Sequence, residues 1–568
     1  MMQDRLSAEA VARPPPFRSF ADFFPYYLRE HGRPATRALH LAGTGLAAAC
    51  LVAAMADRRR RPWYLLAAPV AGYGSAWLAH ALVERNHPAT FRHPVWSLRA
   101  DWRMLCLWAT GRLAESVRAA QGERPGSATP REQGLDHSWA LLSEGYSFFP
   151  DRFRRYRSDI FSTRLMLNEA VCVLGAEAAE EFYRPGRFTR QGALPVTTLK
   201  LLQDRGSVAM LDGPAHRRRK DLFLALLKPP APVRLGNIME ACWRACLPAW
   251  EAGGPIVLLD EVQKILCATV CAWSGISLTA PELGRRTTEL AAMVKSAGTV
   301  GPRNWRGMLL RSRAERWVRN IVRAVRAGAL DPGRGTVLDA VAWHRDLDGA
   351  LLTPEIAAVE VLNVLRPTVA VAWFVAFAAL ALHEHPAWRE RLSRGDDEDL
   401  HLFVQEVRRF YPFFPAVAGR VREPFVWRGH RFVRHDWVVL DLYGTDHDPR
   451  SWHDPGTFRP ERFRRWSGSA FDFIPQGGGD HRTGHRCPGE WITIELVKRA
   501  VKLLTTAMRY DVPEQDLRVD LARMPTSPAS GFVISSVRAQ PRTRAPLGSY
   551  GGSRKTSAET RSPATSSW

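Results

Sequence analysis

The chain has 568 residues, a formal net charge of +22 and a hydrophobic content of 46%. Its length exceeds one typical domain and its apolar content suffices for a large core, so we expect two or more folding units. The charge comes mostly from Arg, without a recognisable nucleic-acid module, so no nucleic-acid partner is expected. Anionic lipid or fatty-acid carboxylates are the acidic partners that this charge favours. The eight cysteines form no disulfide-like framework, which is typical of a reducing cytoplasm.

Two apolar runs near the N-terminus predict an α-helical membrane hairpin. They cover 39–56 and 63–83, and an Arg-rich turn separates them. Because the first run is only about long enough to span and both carry polar groups, a re-entrant or interfacial hairpin stays an alternative. With two crossings, both ends of the hairpin lie on the same side of the membrane.

Histidines recur in and around these runs. His31 lies at the entrance, whereas His40 and His80 lie inside, where an imidazole is costly unless it is paired or ligates a metal. Three imidazoles with open positions suit non-haem Fe(II). Glu84 follows His80 by one helical turn and would complete the ligand set or orient an imidazole. Ligation by His87 or Asp101 is a further alternative.

The same region carries a combination of motifs. The stretches 27–31, 37–40 and 72–80 precede a Glu-x-Asn-x-Pro-Ala-Thr-Phe block at 84–91 and a Ser-Leu-x-x-Asp stretch at 97–101. Together they resemble the small membrane family of iron-dependent 2-hydroxy-fatty-acid dioxygenases, over about 17–107. The resemblance implies oxidative removal of the carboxyl carbon as carbon dioxide, which leaves a fatty acid one carbon shorter.

Composition divides the chain into four parts. A polar stretch rich in Pro and Gly occupies 121–134, and a stretch rich in Ser, Thr, Arg and Gly follows 541. We therefore predict a membrane-associated helical domain over 1–118, a linker over 119–134, a second globular domain over 135–540 and a disordered tail over 541–568.

One long apolar helix is predicted over 354–382 in the second domain. A transmembrane span is the alternative. Arg366 lies in the middle of the run, and Pro367 beside it would kink a helix. A charged side chain at that depth is expensive in a membrane, so a buried core helix is the preferred interpretation.

A Gly-rich loop near the C-terminus places one cysteine among positive groups. It comprises Phe-Ile-Pro-Gln-Gly-Gly-Gly at 473–479 and Gly-His-Arg-Cys-Pro-Gly at 484–489. Cys487 can donate to haem iron only as a thiolate, and Arg486, His485 and exposed backbone N–H groups would lower the pKa of its thiol. A structural cysteine in a turn is the alternative interpretation.

Two further motifs precede this loop. They are a Glu-x-x-Arg pair at 406–409 and, after it, Phe-Arg-Pro-Glu-Arg-Phe at 458–463. Together with the loop, the motifs occur in the order that a known superfamily has. They resemble the cytochrome P-450 superfamily, and the insertion at 477–485 resembles that of the bacterial fatty-acid peroxygenases, over about 135–538. The resemblance implies a mainly α cytochrome P-450 fold with small β-sheets and haem b on Cys487. It also implies an ion network of Glu406, Arg409 and Arg459.

Further roles follow from this resemblance. The helix entry at 211–220 would bring His216 and Lys220 to the haem, together with Arg486 of the cysteine loop. Phe413 and Phe414 would line an apolar acyl channel, although core packing explains such residues equally well. Ala209 departs from the Gln or His that the family commonly carries, which leaves α against β selectivity and decarboxylation open.

Arg366 and Pro367 stand where reductase-dependent members carry an acid–alcohol pair. As in the peroxygenases, Arg366 would bind a fatty-acid carboxylate through two charge-assisted hydrogen bonds. The bound carboxylate would then serve as the general acid–base that moves a proton across hydrogen peroxide. Thr368 comes one position late for the usual alcohol, so packing is its expected role.

The sequence thus predicts hydroxylation of long-chain fatty acids at Cα or Cβ by hydrogen peroxide, coupled to Fe(II)- and O2-dependent cleavage of the 2-hydroxy acid. No obligatory redox partner is expected. The alternatives are a decarboxylase or β-hydroxylase with a noncatalytic membrane anchor, a redox-partner-dependent monooxygenase, and a haem-binding sensor. We expect membrane association, at a bacterial inner membrane with the haem domain on the cytoplasmic side.

Overall fold

Helices dominate the computed structural model, which describes residues 17, 19–31, 34–79, 94–120 and 129–540. The α-helices within these ranges are, in chain order, α1 (Phe20–Glu30), α2 (Pro34–Ala56), α3 (Arg61–Ala79), α4 (Pro94–Ala109), α5 (Leu113–Ala120), α6 (Ser138–Glu144), α7 (Phe148–Tyr156), α8 (Ala176–Tyr183), α9 (Val196–Leu202), α10 (Gly213–Leu227), α11 (Ala231–Ala252), α12 (Leu258–Trp273), α13 (Ala280–Lys295), α14 (Pro302–Arg326), α15 (Val337–Ala342), α16 (Pro354–Glu384), α17 (Pro386–Ser393), α18 (Asp397–Phe410), α19 (Leu442–Asp446) and α20 (Glu490–Lys502). Short 3-10 turns cover Gly145–Ser147, Val208–Met210 and Pro460–Arg464, and a π-helical turn covers Leu503–Ala507.

The strands form three small sheets. They are β1 (Ile160–Leu165), β2 (Asn168–Val173), β3 (Phe188–Thr189), β4 (Ile256–Val257), β5 (Ala416–Val421), β6 (Phe425–Trp427), β7 (His430–Phe432), β8 (Trp437–Asp441), β9 (Met508–Asp511) and β10 (Val533–Ala539). The largest sheet has the order β1-β2-β8-β5-β3, in which only β2 and β8 pair in parallel. The other sheets have the orders β4-β10-β9 and β6-β7. The mainly α fold with small sheets confirms the predicted class.

The core is built around α16. Thr353 caps this helix by accepting a hydrogen bond from the Ile356 N–H, and Pro354 occupies the first turn, where a missing N–H costs nothing. The helix is apolar on every side, which requires that it be buried either in protein or in lipid. Within its apolar window 94% of the residues are buried inside the protein. The interpretation as a core helix is confirmed.

The N-terminal region pairs two apolar helices. α2 and α3 pack against each other, and the stretch 35–56 is long and apolar enough to cross a membrane. Only 22% of its apolar window is buried by the protein, so most of this surface is available to lipid. Beside the pair, α1, α4 and α5 enclose a small core of Phe23, Tyr27 and Met104.

The junction between the two regions is partly described. Residues 121–128 of the predicted linker lie outside the described residues, as does the predicted tail over 541–568. Glu132, near the end of the linker, accepts a hydrogen bond of 2.8 Å from Arg152 Nε and therefore packs on the second region. Arg164 on β1 donates to the Trp108 carbonyl oxygen at the end of α4, over 3.1 Å. The proposed domain limits stay a prediction.

A buried ion network surrounds Glu406 on α18. Both oxygens of Glu406 accept hydrogen bonds of 2.8 Å from Arg409, and neither side chain is exposed. The prediction of Arg459 as the third member of this network is wrong for its side chain, which pairs with Asp454. Only the Arg459 backbone N–H reaches Glu406. Arg462, one helical turn later, supplies the additional guanidinium. The Pro460–Arg464 turn explains the exchange, because it directs Arg462 inward.

Removal of the Glu406 charge should therefore destabilise the whole haem-domain fold. In Glu406→Gln, the buried guanidinium of Arg409 loses its carboxylate, and we expect a loss of about 3–5 kcal/mol in the free energy of unfolding. Glu398→Gln is the matched control, since Glu398 pairs with Arg464 on the surface and should contribute less than about 1 kcal/mol. Denaturant unfolding measures both, and equal losses in the two variants would contradict the assigned role.

Candidate active site

The cysteine loop is held in place from both ends. The Cys487 N–H donates to the Gln476 carbonyl oxygen over 3.2 Å, and Gln476 Nε2 lies 3.8 Å from Cys487 Sγ. Gly479 has a φ of +78°, and a Cβ there would lie 2.9 Å from Tyr183 Cβ, so a larger residue would be strained. The loop thus directs several donors at one sulfur atom.

The environment of Cys487 suits a thiolate that is bound to a cation. Burial raises the pKa of the Cys487 thiol, whereas the Gly489 N–H and the charges of Lys220 and Arg408 act in the opposite direction. A bound metal ion would supply the remaining stabilisation, because a coordinated thiol is deprotonated outright. A half-buried cysteine whose sulfur faces the Gly489 N–H and Gln476 Nε2 fits the proximal ligand of a haem.

Glu490 at the start of α20 stabilises the charges of this loop. Its carboxylate accepts hydrogen bonds from Arg408 Nη2 at 2.5 Å and from Arg486 Nε at 2.7 Å, and it lies 3.0 Å from His481 Nε2. Burial alone would raise the pKa of Glu490, but Arg408, His481 and Arg486 hold this pKa far below its ordinary value. The predicted haem contact Arg486 therefore also anchors the loop to α20.

The predicted contacts on α10 lie against the same loop. Lys220 Nζ donates to the carbonyl oxygens of Gly484 and Arg486, at 3.2 and 2.5 Å. The His216 ring lies 4.3 Å from the His485 ring, and burial together with the Lys220 charge lowers the pKa of His216 to about 4. Burial also lowers the pKa of Lys220 to about 8. These groups could hold the carboxylates of a haem.

Arg366 lies inside the protein on α16 and is only 5% exposed. Its Nη1 donates to Asn363 Oδ1 over 3.3 Å, and no acidic side chain in the described ranges forms a salt bridge with it. Burial lowers the pKa of Arg366 to about 9, and the charge of Arg311 acts in the same direction. The neighbouring Pro367 has no N–H, so the Asn363 carbonyl lacks its helical donor.

A second buried network orients Asn363. Glu360 is fully buried on α16, and its Oε2 accepts a hydrogen bond of 3.0 Å from Asn363 Nδ2. Its Oε1 accepts from Arg219 of α10 at 2.8 Å and from the Val208 N–H at 2.7 Å. Because the amide of Asn363 is committed to Glu360, its oxygen faces Arg366. Thr368 donates its hydroxyl to the Val364 carbonyl oxygen, which agrees with a packing role.

The two predicted channel residues contact α16. The Phe413 ring stacks on Phe374 with a centroid distance of 4.2 Å, and Phe414 meets Phe413 edge to face at 4.9 Å. Phe414 remains 41% exposed, whereas Phe413 is half-buried. The pair therefore connects the core helix to the surface, as an apolar channel wall would.

The N-terminal region brings two of the four predicted metal ligands together. The His31 and His40 rings are 4.4 Å apart, and each Nδ1 is hydrogen-bonded, to the Tyr27 carbonyl oxygen and to Asp101 Oδ1 respectively. Tyr27 Oη donates to the same Asp101 oxygen over 2.5 Å. His80 and Glu84 lie outside the described residues, and no group of three metal-ligating side chains occurs among those that are described.

Several residues of these sites escaped the sequence reasoning. Glu490 and Gln476 are near Cys487 in sequence, so the spacing to the cysteine could have indicated them. Asn363 precedes Arg366 by three residues and Glu360 precedes Asn363 by three, so each is one helical turn from the next, a signal that was present but not used. Tyr27 reaches Asp101, and Arg311 comes close to Arg366, only through tertiary packing.

A helical core, a buried cysteine loop and a Glu–Arg ion network define a haem-thiolate oxidoreductase of the cytochrome P450 class. Residues 400–514 match the sequence profile of the family described as Cytochrome P450. Residues 17–113 match a second profile, described as 2-hydroxy-palmitic acid dioxygenase Mpo1-like. The class implies haem as the cofactor of the second region.

Comparison with solved structures identifies the family within the cytochrome P450 class. Cytochrome P450SP alpha (CYP152B1) is 47% identical, with a TM-score of 0.70 and coverage of 72% of this chain and 100% of that one. Cytochrome P450EX alpha (CYP152N1) with myristic acid is 43% identical (TM-score 0.71; 73% and 100%). A cytochrome P450 OleT variant in complex with arachidonic acid is 33% identical (0.71; 74% and 100%). The chain belongs to the CYP152 family of cytochromes P450.

Curated relatives match over shorter stretches. Cytochrome P450 71D18 of Mentha gracilis is 29% identical over 136 residues, which is 23% of this chain and 27% of that protein. The chain thus spans about a quarter of the length of this relative. This similarity carries no information on substrate.

The charge network around Cys487 predicts a pH dependence. Because the pKa of Glu490 is held low in the folded protein, its ionised form stabilises the fold above the ordinary Glu pKa of about 4.3, and this contribution is lost as the pH falls below that value. Glu490→Gln should be less stable at pH 7 and should lose less further stability on acidification.

Soret absorbance and denaturant unfolding, recorded from pH 7 to pH 3.5, measure this effect. Glu495→Gln on the same helix is the control, because Glu495 pairs with Arg499 at a half-exposed site. Parallel pH profiles for the wild-type protein and Glu490→Gln would refute the assignment.

Proposed function

We propose that this protein hydroxylates long-chain fatty acids at Cα, with hydrogen peroxide as oxidant and haem b on Cys487 as cofactor. The observation that carries the proposal is Arg366, a buried guanidinium without an acidic partner among the described residues. A buried cation is stabilised only by pairing, and a carboxylate that accepts both arms of the guanidinium provides it. The family neighbours crystallised with myristic and arachidonic acid support a fatty acid as that partner.

Arg366 would determine the position of oxidation. When it holds the carboxylate, Cα lies only about 1.5 Å beyond the carboxyl carbon, so oxidation next to the carboxyl group is favoured over the distant chain. Asn363 holds the guanidinium from one side, and Phe413 with Phe414 would guide the acyl chain toward the surface. Ala209 stands where the family commonly carries Gln or His, so the choice between Cα, Cβ and decarboxylation is left to product analysis.

Proton movement needs no residue beyond those that bind the substrate. Arg366 would hold the carboxylate so that one oxygen accepts a proton from hydrogen peroxide and returns it. Bound haem supplies the iron that activates the peroxide. The balance is RCH2COOH + H2O2 → RCH(OH)COOH + H2O. Haem would be held by Cys487, with Lys220, His216 and Arg486 available to its carboxylates.

For the N-terminal region we propose the next reaction, RCH(OH)COOH + O2 → RCOOH + CO2 + H2O. The support is the match to a 2-hydroxy-palmitic acid dioxygenase profile and the close pair His31 and His40. Asp101 would fix the tautomer of His40 and leave its Nε2 as the ligand atom for non-haem Fe(II). His80 and Glu84 would complete the set. The product of the first reaction is then the substrate of the second.

Membrane association is part of this proposal. The apolar surface of α2 that the protein leaves uncovered would lie in lipid, with α3 as its partner, and would keep both reactions close to membrane-derived fatty acids. A redox partner is not required, because peroxide supplies both the oxygen atom and the oxidising equivalents.

Substitution of Arg366 tests the first reaction. With palmitate and hydrogen peroxide, Arg366→Gln should lose about 100-fold or more in kcat/KM, since two charge-assisted hydrogen bonds of roughly 1.5–3 kcal/mol each disappear. Arg366→Lys keeps the positive charge but cannot donate two parallel hydrogen bonds to one carboxylate, so it should retain an intermediate rate. Chiral product analysis identifies the 2-hydroxy acid. Wild-type production of a terminal alkene would instead assign decarboxylation, and unchanged rates in Arg366→Gln would rule out the anchor.

Substitution of His40 tests the second reaction. Iron-loaded wild-type protein given palmitate, peroxide and air should form pentadecanoate, whereas His40→Gln should stop at 2-hydroxypalmitate and bind less non-haem iron. Cys50→Ser is the control, because Cys50 is half-buried on the same helix about 15 Å further along. Direct feeding of 2-hydroxypalmitate separates the two sites. Wild-type protein that accumulates this acid without pentadecanoate would restrict the N-terminal region to anchoring.

A further inference from the structure

One face of α14 combines exposed apolar and basic side chains in a continuous stripe. Trp305 and Leu309 are 69% and 54% exposed. Arg306, Arg313 and Arg316 are also exposed and follow at helical spacing, so all five side chains lie along one side of the helix. A single exposed apolar residue is ordinary, but adjacent exposed apolar residues rimmed by polar groups mark a surface that contacts another molecule.

A basic groove runs beside this stripe, between α13 and α14. Its main part has a volume of about 720 Å³ and a second part of about 380 Å³ continues toward Leu309. The charged lining is almost entirely Arg. Glu289 is the one acidic residue among the lining residues of these two parts, and it is buried and paired with Arg286 at 2.6 Å. The groove therefore presents guanidinium groups over an apolar floor that includes Trp317.

The arginines of the stripe are not neutralised by the protein. In the residues that the structure describes, none of Arg306, Arg313 and Arg316 forms a salt bridge, whereas Arg319 and Arg323, nearer the C-terminal end of α14, both pair with Glu355. Unpaired guanidiniums next to an indole ring match the chemistry of an anionic bilayer surface. There, Arg binds headgroup phosphate and Trp lies at the boundary with the acyl chains.

We propose that the α13–α14 face docks the haem domain on the surface of an anionic lipid bilayer. The apolar surface of α2 favours this occupant over a second copy of the chain or a soluble anionic partner, because it brings the same chain to lipid. Trp305 and Leu309 enter the interfacial region, and the three arginines contact headgroups. The inference concerns the haem domain itself and does not depend on its reaction.

Photocrosslinking of the full-length protein tests the orientation. The photoreactive residue p-benzoylphenylalanine replaces Leu309, and in the comparison protein it replaces Val426, which is 67% exposed on β6. Each protein is reconstituted into vesicles of phosphatidylcholine alone or with one third phosphatidylglycerol, and mass spectrometry identifies the crosslinked partner. We expect lipid adducts at position 309 in the anionic vesicles, and at least about tenfold fewer at position 426 and in pure phosphatidylcholine.

Charge-matched variants separate this face from the overall positive charge. R306Q/R313Q/R316Q should reduce the lipid adducts at position 309 by about tenfold or more, whereas R422Q/R431Q/R434Q removes three exposed arginines beside Val426 and should leave them unchanged. Soret absorbance verifies that each variant is folded. Adducts to protein instead of lipid would assign the face to a second copy. The proposal would be overturned, even without the variants, if the yield of lipid adducts at position 309 were equal in the two vesicle types. Equal yields at positions 309 and 426 would overturn it as well.

Discussion

The guanidinium of Arg366 is the group on which the active site depends. It occupies the middle of the most buried helix, where desolvation opposes its charge strongly enough to bring its pKa down to about 9. The fold supplies one neutral oxygen, from Asn363, and a repulsive neighbour, Arg311. A buried charge of this kind is costly unless an anion pairs with it, which is the physical basis of the proposed carboxylate site.

The charges around Arg366 explain why no acidic side chain among the described residues neutralises it. Glu360 could have neutralised Arg366, but its two oxygens are occupied by Arg219, the Val208 N–H and the amide of Asn363. Arg311 in turn donates to Glu315 and to the Leu201 carbonyl oxygen. Glu360 and Glu315 thus already have basic partners, and the positive charge of Arg366 stays available to the proposed carboxylate ligand. α10, α14 and α16 all contribute to this balance, which ties substrate binding to the packing of the helical core.

Sequence reasoning predicts those features whose signal is local. The Cys487 loop, the Glu406–Arg409 pair and the apolar run around Arg366 are short motifs or periodic patterns, and the class of fold follows from their order. Partners that meet across the fold are different: the replacement of Arg459 by Arg462 depends on how the Pro460–Arg464 turn faces α18, and Tyr27 reaches Asp101 across 74 residues. The spacing of residues in one sequence carries no information on contacts between distant segments of the chain.

The two regions share a physical requirement, since both would act on an amphiphile that is poorly soluble in water. The same helix, α14, buries Arg311 in the interior and presents Trp305 on the outside. A bilayer held against its outer face would place the acyl chain supply within one helix diameter, about 10 Å, of the groups that line the interior. A 2-hydroxy acid that leaves the haem site would then remain in the lipid phase, where diffusion in two dimensions brings it to His31 and His40 without any direct channel between the sites.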